Sequence, residues 1–492
     1  MGNSLFTVKT VGLVLGPLLA LSLVLLGPPD SLALAGQEGQ LNYPAWYTLC
    51  VLVWMAIWWM TEPIPIPATS LLPLVALPLI DAGNPTVVGG DYFNHIVVLL
   101  LGGFIIAMGI ERWNLHKRIA LNIVSRVGSK PRALIFGFMA ATALLSMWIS
   151  NTATTIMMVP IALSAAASLP GDTRPFTIAL LLGICYAASI GGVGTPIGTP
   201  TNLIAMNWLQ ANAGANIGFP QWMAFGIPTA ALLVPAAWWA VTRGLPGDRS
   251  GRSVGAEIGD QLRALGRITT PEARAAGVFA LIAFLWVFRL IIVDMLDAAG
   301  FTLIATYGGA QVDMIIAIFG AILMFLIPAG QDEKRALLNW QEAEKLPWGV
   351  LILFGGGIAL GKAITRTGLS EWIGSQLTVL SVLPPLVFIV AVVTLVIFLT
   401  ELTSNVATMT TLAPILGALA LAVGAAPESL LAPAAVAASC AFMLPVATAP
   451  NAIIYATGEV SVARMMKSGI RVNLIGIVVI SAIGYWVAPL VL

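Results

Sequence analysis

Long apolar runs separated by short charged loops dominate the chain. Nine of them, near 11–27, 45–61, 66–80, 96–111, 221–242, 275–295, 310–329, 347–362 and 470–491, are long enough to cross bilayer hydrocarbon as helices. Four other apolar stretches are interrupted. These are 133–168 at Ser150-Asn151-Thr152, 176–212 from Gly191 to Asn202, 385–425 from Thr403 to Asn405, and 430–463 from Leu444 to Asn451. Lipid offers no hydrogen-bond partner, so a broken helix survives at membrane depth only where its backbone lines a cavity or is buried in protein. Four interruptions therefore point to one internal site. The first and third read as helical hairpins that enter and leave on the same side, the second and fourth as spanning helices unwound in the middle.

Composition agrees with this pattern. The 492 residues are 59% apolar and 9% charged, whereas a water-soluble domain carries about 25% charge. The positive-inside rule then orients the spans. If 133–168 is a hairpin, the loops 112–132, 169–175, 243–274, 330–346 and 464–471 share one face, and with Lys9 they hold 20 of the 23 Lys and Arg residues. The opposite loops, 28–44, 81–95, 213–220 and 296–309, hold none. A straight crossing at 133–168 would move the arginines of 243–274 outside, against the rule. The expected fold is an all-α polytopic membrane protein of the inner (plasma) membrane, with about eleven transmembrane helices and two re-entrant hairpins, its N-terminus cytoplasmic and its C-terminus outside. Ala33-Leu34-Ala35 after the first apolar run resembles a signal-peptidase site, but the charge map works with the segment kept as an anchor. Cys50, Cys185 and Cys440 are widely spaced in apolar surroundings and read as packing residues. A net charge of +1 gives no reason to expect nucleic acid.

The chain also repeats itself. Trp148-Ile149-Ser150-Asn151-Thr152-Ala153-Thr154 is echoed by Leu402-Thr403-Ser404-Asn405-Val406-Ala407-Thr408, and Thr199-Pro200-Thr201-Asn202 by Thr448-Ala449-Pro450-Asn451. Gly102-Gly103 and Gly355-Gly356 form a third pair. This gives an N-terminal helix and outer loop over 1–44, a first repeat over 45–242, an Arg-rich linker over 243–274 and a second repeat over 275–492. Five spans plus a hairpin per repeat turn the second copy upside down, as in carriers that alternate access around a midplane site.

The candidate site lacks lysine and arginine: 175–242 has no charged residue, and 372–458 has only Glu401 and Glu428. Helix N-termini can still hold an anion, and co-bound cations can supply the remaining charge. Ser146, Ser150 and Asn151 offer the oxygen ligands that a hard monovalent cation such as Na+ requires, repeat symmetry places Thr400, Ser404 and Asn405 likewise, and carbonyls near Gly198 and Ala447 face them. Ser, Thr, Asn and Gly in membrane helices commonly serve packing, but duplication at helix breaks in both copies favours a site. Glu401 reads as a structural acceptor at the second hairpin tip, with a proton site as the alternative. Arg289 is expected to snorkel, or to pair near the outer end of its helix. Trp54, Trp58, Trp59, Trp238 and Trp239 read as interfacial or lipid-facing aromatics. Two histidines, His95 and His116 near helix ends, argue against a two-haem subunit or a Ser-His protease, and no enzyme activity is expected.

The segments Gly102-Gly103-Phe104 through Trp113-Asn114-Leu115-His116-Lys117-Arg118, Ser150-Asn151-Thr152, Pro347-Trp348-Gly349 through Gly355-Gly356-Gly357, and Thr400-Glu401-Leu402-Thr403-Ser404-Asn405 resemble the divalent-anion:sodium symporters, from about residue 45 to the end. The resemblance implies homodimers with a scaffold domain and an elevator-type transport domain. It implies one sodium site from Ser146, Ser150, Asn151 and the Gly198 carbonyl, and another from Thr400, Asn405 and the carbonyls of Thr403 and Ala447. Substrate carboxylates would meet Asn151, Thr152, Thr199, Ser404, Asn405 and Thr448. Val406 stands where the first motif has Thr152, which puts equivalent handling of the two carboxylates in doubt. The implied function is electrogenic sodium-coupled import of a C4-dicarboxylate such as succinate, malate or fumarate. A dicarboxylate exchanger, a citrate or sulfate carrier of the same fold, and a transport-dead receptor or assembly subunit are the competing readings.

Overall fold

A computed structural model describes residues 8–32, 42–127, 130–168, 173–215, 217–243, 245, 252–300, 307, 309–330, 334–377 and 384–492. The Ala33–Ala35 stretch lies outside them. The described chain is helical apart from its turns and loops, with one isolated bridge between Pro328 and Ala336. Eight described helices are long and apolar enough to cross a bilayer, and shorter apolar helices of 10–17 residues include arms of the broken segments.

Three expected spans are not single helices, the last being 470–491, which divides into Val462–Trp486 and the short Ala488–Val491. The 66–80 run divides into Ile66–Thr69 and Leu72–Leu79. Pro73, which has no N–H to give, sits in the first turn of the second piece, and the Ser70 hydroxyl bonds back to Ile66 O at 2.9 Å. The 275–295 run is Thr270–Val287 followed by Arg289–Ala298, with Phe288 out of helical geometry between them. Arg289 does not snorkel. It is 2% exposed and pairs at 3.0 Å with Asp313, itself 1% exposed; Asp313 also accepts the Phe219 N–H at 2.8 Å. A buried guanidinium needs such a partner, and the close approach of Gly218 and Gly309 to its end makes the room. Nor is Trp59 lipid-facing: it is fully buried and donates to Ser70 Oγ at 2.9 Å. Trp239, 49% exposed and carrying Arg243 over its ring at 4.8 Å, does fit the surface reading.

The breaks fall close to where the sequence placed them. Pro131–Ser146 and Asn151–Ala167 are separated by 147–150, and Pro385–Thr400 and Asn405–Ala422 by 401–404. Arg174–Gly192 and Pro200–Ala213 flank 193–199, while Glu428–Ala438 and Ala449–Ala456 flank 439–448, a longer gap than expected.

Close contacts give the directions of the arms. Gly191 lies against Ala143, and Gly183 against Met139 and Ile135, so Pro131–Ser146 and Arg174–Gly192 run the same way. Asn151–Ala167 must therefore return between them, which makes 131–167 a hairpin. In the second half, Gly469 meets Phe442 and Gly484 meets Pro433, so Val462–Trp486 runs against Glu428–Ala438. Gly476 approaches Ile397 while Asn473 reaches Glu401, so it runs against Pro385–Thr400 too, and 385–422 is likewise a hairpin.

The basic loops meet at one end of the molecule. Arg112 and Arg335 both bond Glu342, and Arg118 bonds Glu272 at 2.5 Å and Gly266 O at 2.9 Å. Arg174, Arg243 and Arg464 line one cavity.

Gly191 makes one of the tightest helix contacts in the first half, because a Cβ there would lie 2.3 Å from Ala143 O. Gly191→Ala is expected to cost about 1–3 kcal/mol through overpacking and to lower the thermal midpoint in detergent. Gly361→Ala, whose Cβ would meet nothing within 4 Å, should leave the midpoint unchanged.

Candidate functional site

Each hairpin tip is organised by a hydroxyl, an amide and a carbonyl. Ser146 Oγ lies 2.6 Å from Asn151 Oδ1 and 2.7 Å from Ala188 O. Thr400 Oγ1 lies 2.8 Å from both Asn405 Oδ1 and Ala438 O. Each hydroxyl has one proton for two acceptors, so each tip holds more oxygen lone pairs than protons, a donor set suited to a cation. Ser150 caps the return helix of the first hairpin by accepting the Ala153 N–H at 3.2 Å. Ser404 occupies the same capping position in the second without a side-chain cap bond. The Thr403 hydroxyl is taken by Leu399 O and Thr408 Oγ1.

The broken helices are held open by a second matched pair. Asn202 Nδ2 donates to Gly192 O at 3.0 Å and Thr195 O at 2.8 Å; Asn451 Nδ2 donates to Ala441 O at 3.0 Å and Leu444 O at 2.8 Å. One buried amide thus ties together two carbonyls of the unwound backbone, of which Thr195 O and Leu444 O also accept the N–H groups of Gly198 and Ala447. The sequence marked Asn202 and Asn451 only as ends of the repeat, although an amide at the same place in both copies of a broken helix was the available signal.

All the expected site residues come together. Ser150, Asn151, Thr152, Gly198, Thr199, Thr403, Ser404, Asn405, Ala447 and Thr448 line one cavity of about 970 Å³, and Ser146 and Thr400 lie buried behind it. The helices beginning at Asn151, Pro200, Asn405 and Ala449 all present their first residues to this cavity. The positive ends of these helix dipoles provide potential where the sequence offers no cation. The wall is not free of lysine, however: Lys9, beside Glu62 and Pro347, lines the same cavity, brought there by packing of the first helix against the second at Gly12 and Thr61. Phe104, Ile197, Val350 and Val446 supply apolar wall that the sequence did not single out.

Three differences between the halves bear on the site. Thr152 corresponds to Val406 in the repeat. Gly192 leaves a cradle walled by Asn151 Oδ1 and Gly198 O, 2.7 and 3.1 Å from where its Cβ would be, and the matching position is Ala441. Met147 corresponds to Glu401, whose carboxylate accepts the N–H groups of Phe442, Met443 and Leu444 at 2.8–3.2 Å and Asn473 Nδ2 at 2.7 Å. Glu401 is thus the structural acceptor of the second break.

Paired hairpin tips and broken helices around one internal cavity, in an all-helical membrane-spanning chain, define a secondary carrier. Residues 21–492 match the family profile described as "Sodium:sulfate symporter transmembrane region". The chain is 43% identical to the sodium-dependent dicarboxylate transporter SdcS of Staphylococcus saprophyticus and 41% identical to that of Staphylococcus aureus, in each case over 98% of this chain and 92% of the relative. The chain belongs to the divalent-anion:sodium symporter family, and it is a membrane transport protein and not an enzyme. Among solved structures, MtrF of Neisseria gonorrhoeae aligns over 100% of this chain and 96% of its own with a TM-score of 0.61 at 15% identity. The YdaH transporter of Alcanivorax borkumensis aligns over 90% and 98% with a TM-score of 0.58, also at 15% identity. These two likenesses concern the fold alone.

Glu401→Ala would strand four buried N–H donors, at a cost of at least about 3 kcal/mol. A large fall in thermal midpoint is expected, with partial recovery in Glu401→Gln. The pH profile of uptake by folded Glu401→Gln protein should match wild type; a displaced profile would instead mark Glu401 as a proton carrier.

Proposed function

We propose that this chain is a sodium-coupled symporter that imports C4-dicarboxylates such as succinate, malate and fumarate across the inner membrane. The observation that carries the reading is the pair of repeat-related, proton-poor oxygen clusters at the hairpin tips, both opening on a cavity ringed by four helix N-termini. Sodium would be held at the first tip by Ser146, Ser150, Asn151 and the Gly198 carbonyl, and at the second by Thr400, Asn405 and the carbonyls of Thr403 and Ala447. The dianion would lie between them, its carboxylates meeting Asn151, Thr152 and Thr199 on one side and Ser404, Asn405 and Thr448 on the other. Bound sodium raises the positive potential of the cavity, and the dianion screens the repulsion between cations, so the species favour one another's binding. That mutual dependence is the physical basis of coupling. The names of the relatives support both sodium and dicarboxylate.

Directions in the structure support an inverted repeat. The C-terminal end of Phe219–Thr242 and the N-terminal end of Val462–Trp486 line one cavity, so these repeat-related helices run in opposite senses. The central cavity reaches Lys9, Glu62 and Pro347, and with the basic loops cytoplasmic it opens inward. The hairpins and broken helices would then move together as the transport domain of an elevator, against a scaffold that pairs two copies of the chain. The N-terminus is cytoplasmic and the C-terminus outside in this arrangement.

Imposing an inward sodium gradient on proteoliposomes should drive succinate accumulation; accumulation indifferent to sodium would favour the exchanger. Asn151→Ala and Asn405→Ala should each lower uptake at least about tenfold, the loss expected for one hydrogen bond to a charged group. Unchanged uptake in both would refute the site. Competition by citrate and sulfate weaker than by fumarate is expected if the substrate is a C4-dicarboxylate.

Gly192→Ala would place a Cβ 2.7 Å from Asn151 Oδ1. The sodium concentration for half-maximal uptake should rise by roughly tenfold as the Asn151 amide is pushed aside, the equivalent of a modest overpacking penalty. Because Ala already stands at 441, the two cation sites are expected to differ in affinity.

A further inference from the structure

At the basic end of the molecule, several described cations are matched by carboxylates. Glu342 takes Arg112 and Arg335, Glu272 takes Arg118, and Asp260 takes Arg263. At the base of the hairpin-bearing helices cations outnumber carboxylates among the described residues. Arg174, Arg243, Arg464, Lys467 and Arg471 line one cavity of about 570 Å³ that contains a single carboxylate, Glu459. Among the described residues, Arg243, Arg464, Lys467 and Arg471 form no ion pair.

Membrane orientation requires positive charge on this face, but it does not require four cations that form no ion pair among the described residues to be gathered in one concavity, where they repel one another. The cavity carries further anion-binding features. Arg174–Gly192 and Val462–Trp486 both begin at it, so two positive helix ends add to the side-chain charge. Ser461 and Ser468 place hydroxyls on the wall. Guanidinium groups bind phosphate oxygens through paired N–H donors, a geometry that chloride and other monatomic anions do not use. Beside the charged rim, Ile178, Leu182 and Val241 form an apolar wall, which matches a group whose phosphate is joined to something greasy.

We propose that this cavity is a second ligand site, separate from the transport site, that binds a phosphate-bearing anion. The shared chemistry is a phosphate group held by Arg464, Lys467 and Arg471, with Arg174 and Arg243 across from them. An anionic phospholipid headgroup and a soluble phosphate compound both supply it. The occupant bridges the start of Arg174–Gly192 in the first half to the start of Val462–Trp486 in the second, and so stiffens the body that carries both hairpin tips. The site does not depend on which anion is transported.

The test uses the full-length protein purified in detergent, with two probes: mixed vesicles of phosphatidylglycerol and phosphatidylcholine compared with phosphatidylcholine alone, and inorganic pyrophosphate. Lipid retention is read by native mass spectrometry and stabilisation by the thermal midpoint. The variant Arg464→Gln/Lys467→Gln/Arg471→Gln is compared with Arg126→Gln/Arg263→Gln/Arg267→Gln, which removes equal charge from the same face outside the cavity. Wild type and the remote variant should retain phosphatidylglycerol, while the cavity variant loses on the order of 100-fold in affinity, given the contribution of each basic residue. Retention of phosphatidylglycerol without a pyrophosphate effect identifies a lipid site, and the reverse a site for a soluble phosphate compound. Equal loss in both triple variants, or no binding of either probe, overturns the proposal. If the cavity variant does not fold, Arg471→Gln and Lys467→Gln singly should each weaken binding about fivefold, and no loss in either overturns it as well.

Discussion

Every peptide group inside the hydrocarbon must find its partner within the protein, and the architecture follows from how the four helix breaks meet that demand. Asn202 and Asn451 each span an unwound segment with one side-chain amide, tying together carbonyls three residues apart on the loop. Ser146 and Thr400 do the same between hairpin and broken helix, each reaching a carbonyl of the neighbouring element. With those demands met, the helices that follow the breaks begin at the cavity. The same hydrogen bonds that make the breaks tolerable also aim the site.

Pseudo-symmetry accounts for the pairing of these devices, and its failures show where each half has a task of its own. In the first half the break is steadied by Trp222 Nε1 on Val193 O at 3.0 Å and by Thr195 on the Met147 carbonyl. In the second, a single carboxylate does this work: Glu401 gathers three consecutive N–H groups and Asn473. A buried negative charge placed beside one tip and not the other changes the potential across the cavity. Gly192 against Ala441 and Thr152 against Val406 add steric and hydrogen-bonding differences. The two ends of the cavity are therefore unequal.

Outside the site, packing is dense where glycine allows helices to touch. Gly102 lies against the Ala317 backbone and Gly109 against Met324, so His95–Arg112 and Gly309–Leu326 run side by side in the same direction. Gly356 meets Ser70 in the same way. In lipid no hydrophobic force presses helices together, so such close approach and the buried pair of Arg289 with Asp313 carry the association. These contacts set a frame beside the hairpin-bearing helices, and Trp148 at the first tip stacks on Phe219, whose ring lies 4.2 Å from that of Trp286.

Much of this was legible in the sequence, because the membrane imposes its rules locally. Apolar runs, the polar interruptions at 150–152 and 403–405, the duplicated Ser-Asn motifs and the charge map are properties of neighbouring residues, and they were enough to pick out the hairpins and the residues at their tips. Contacts between distant segments were not legible. Nothing near Arg289 in sequence identifies Asp313, nothing near Lys9 places it on the wall of the central cavity, and five cations from three loops share one concavity only after the helices pack. The helix breaks at Ser70 and Phe288 were missed because hydropathy averages over a turn, while a helix ends on single hydrogen bonds. The sequence by itself determined that the chain lies in a membrane and where its four polar interruptions fall, since lipid tests each residue separately. Tertiary structure alone decided which oxygens, amides and charges meet, because those meetings depend on the angles at which whole helices cross.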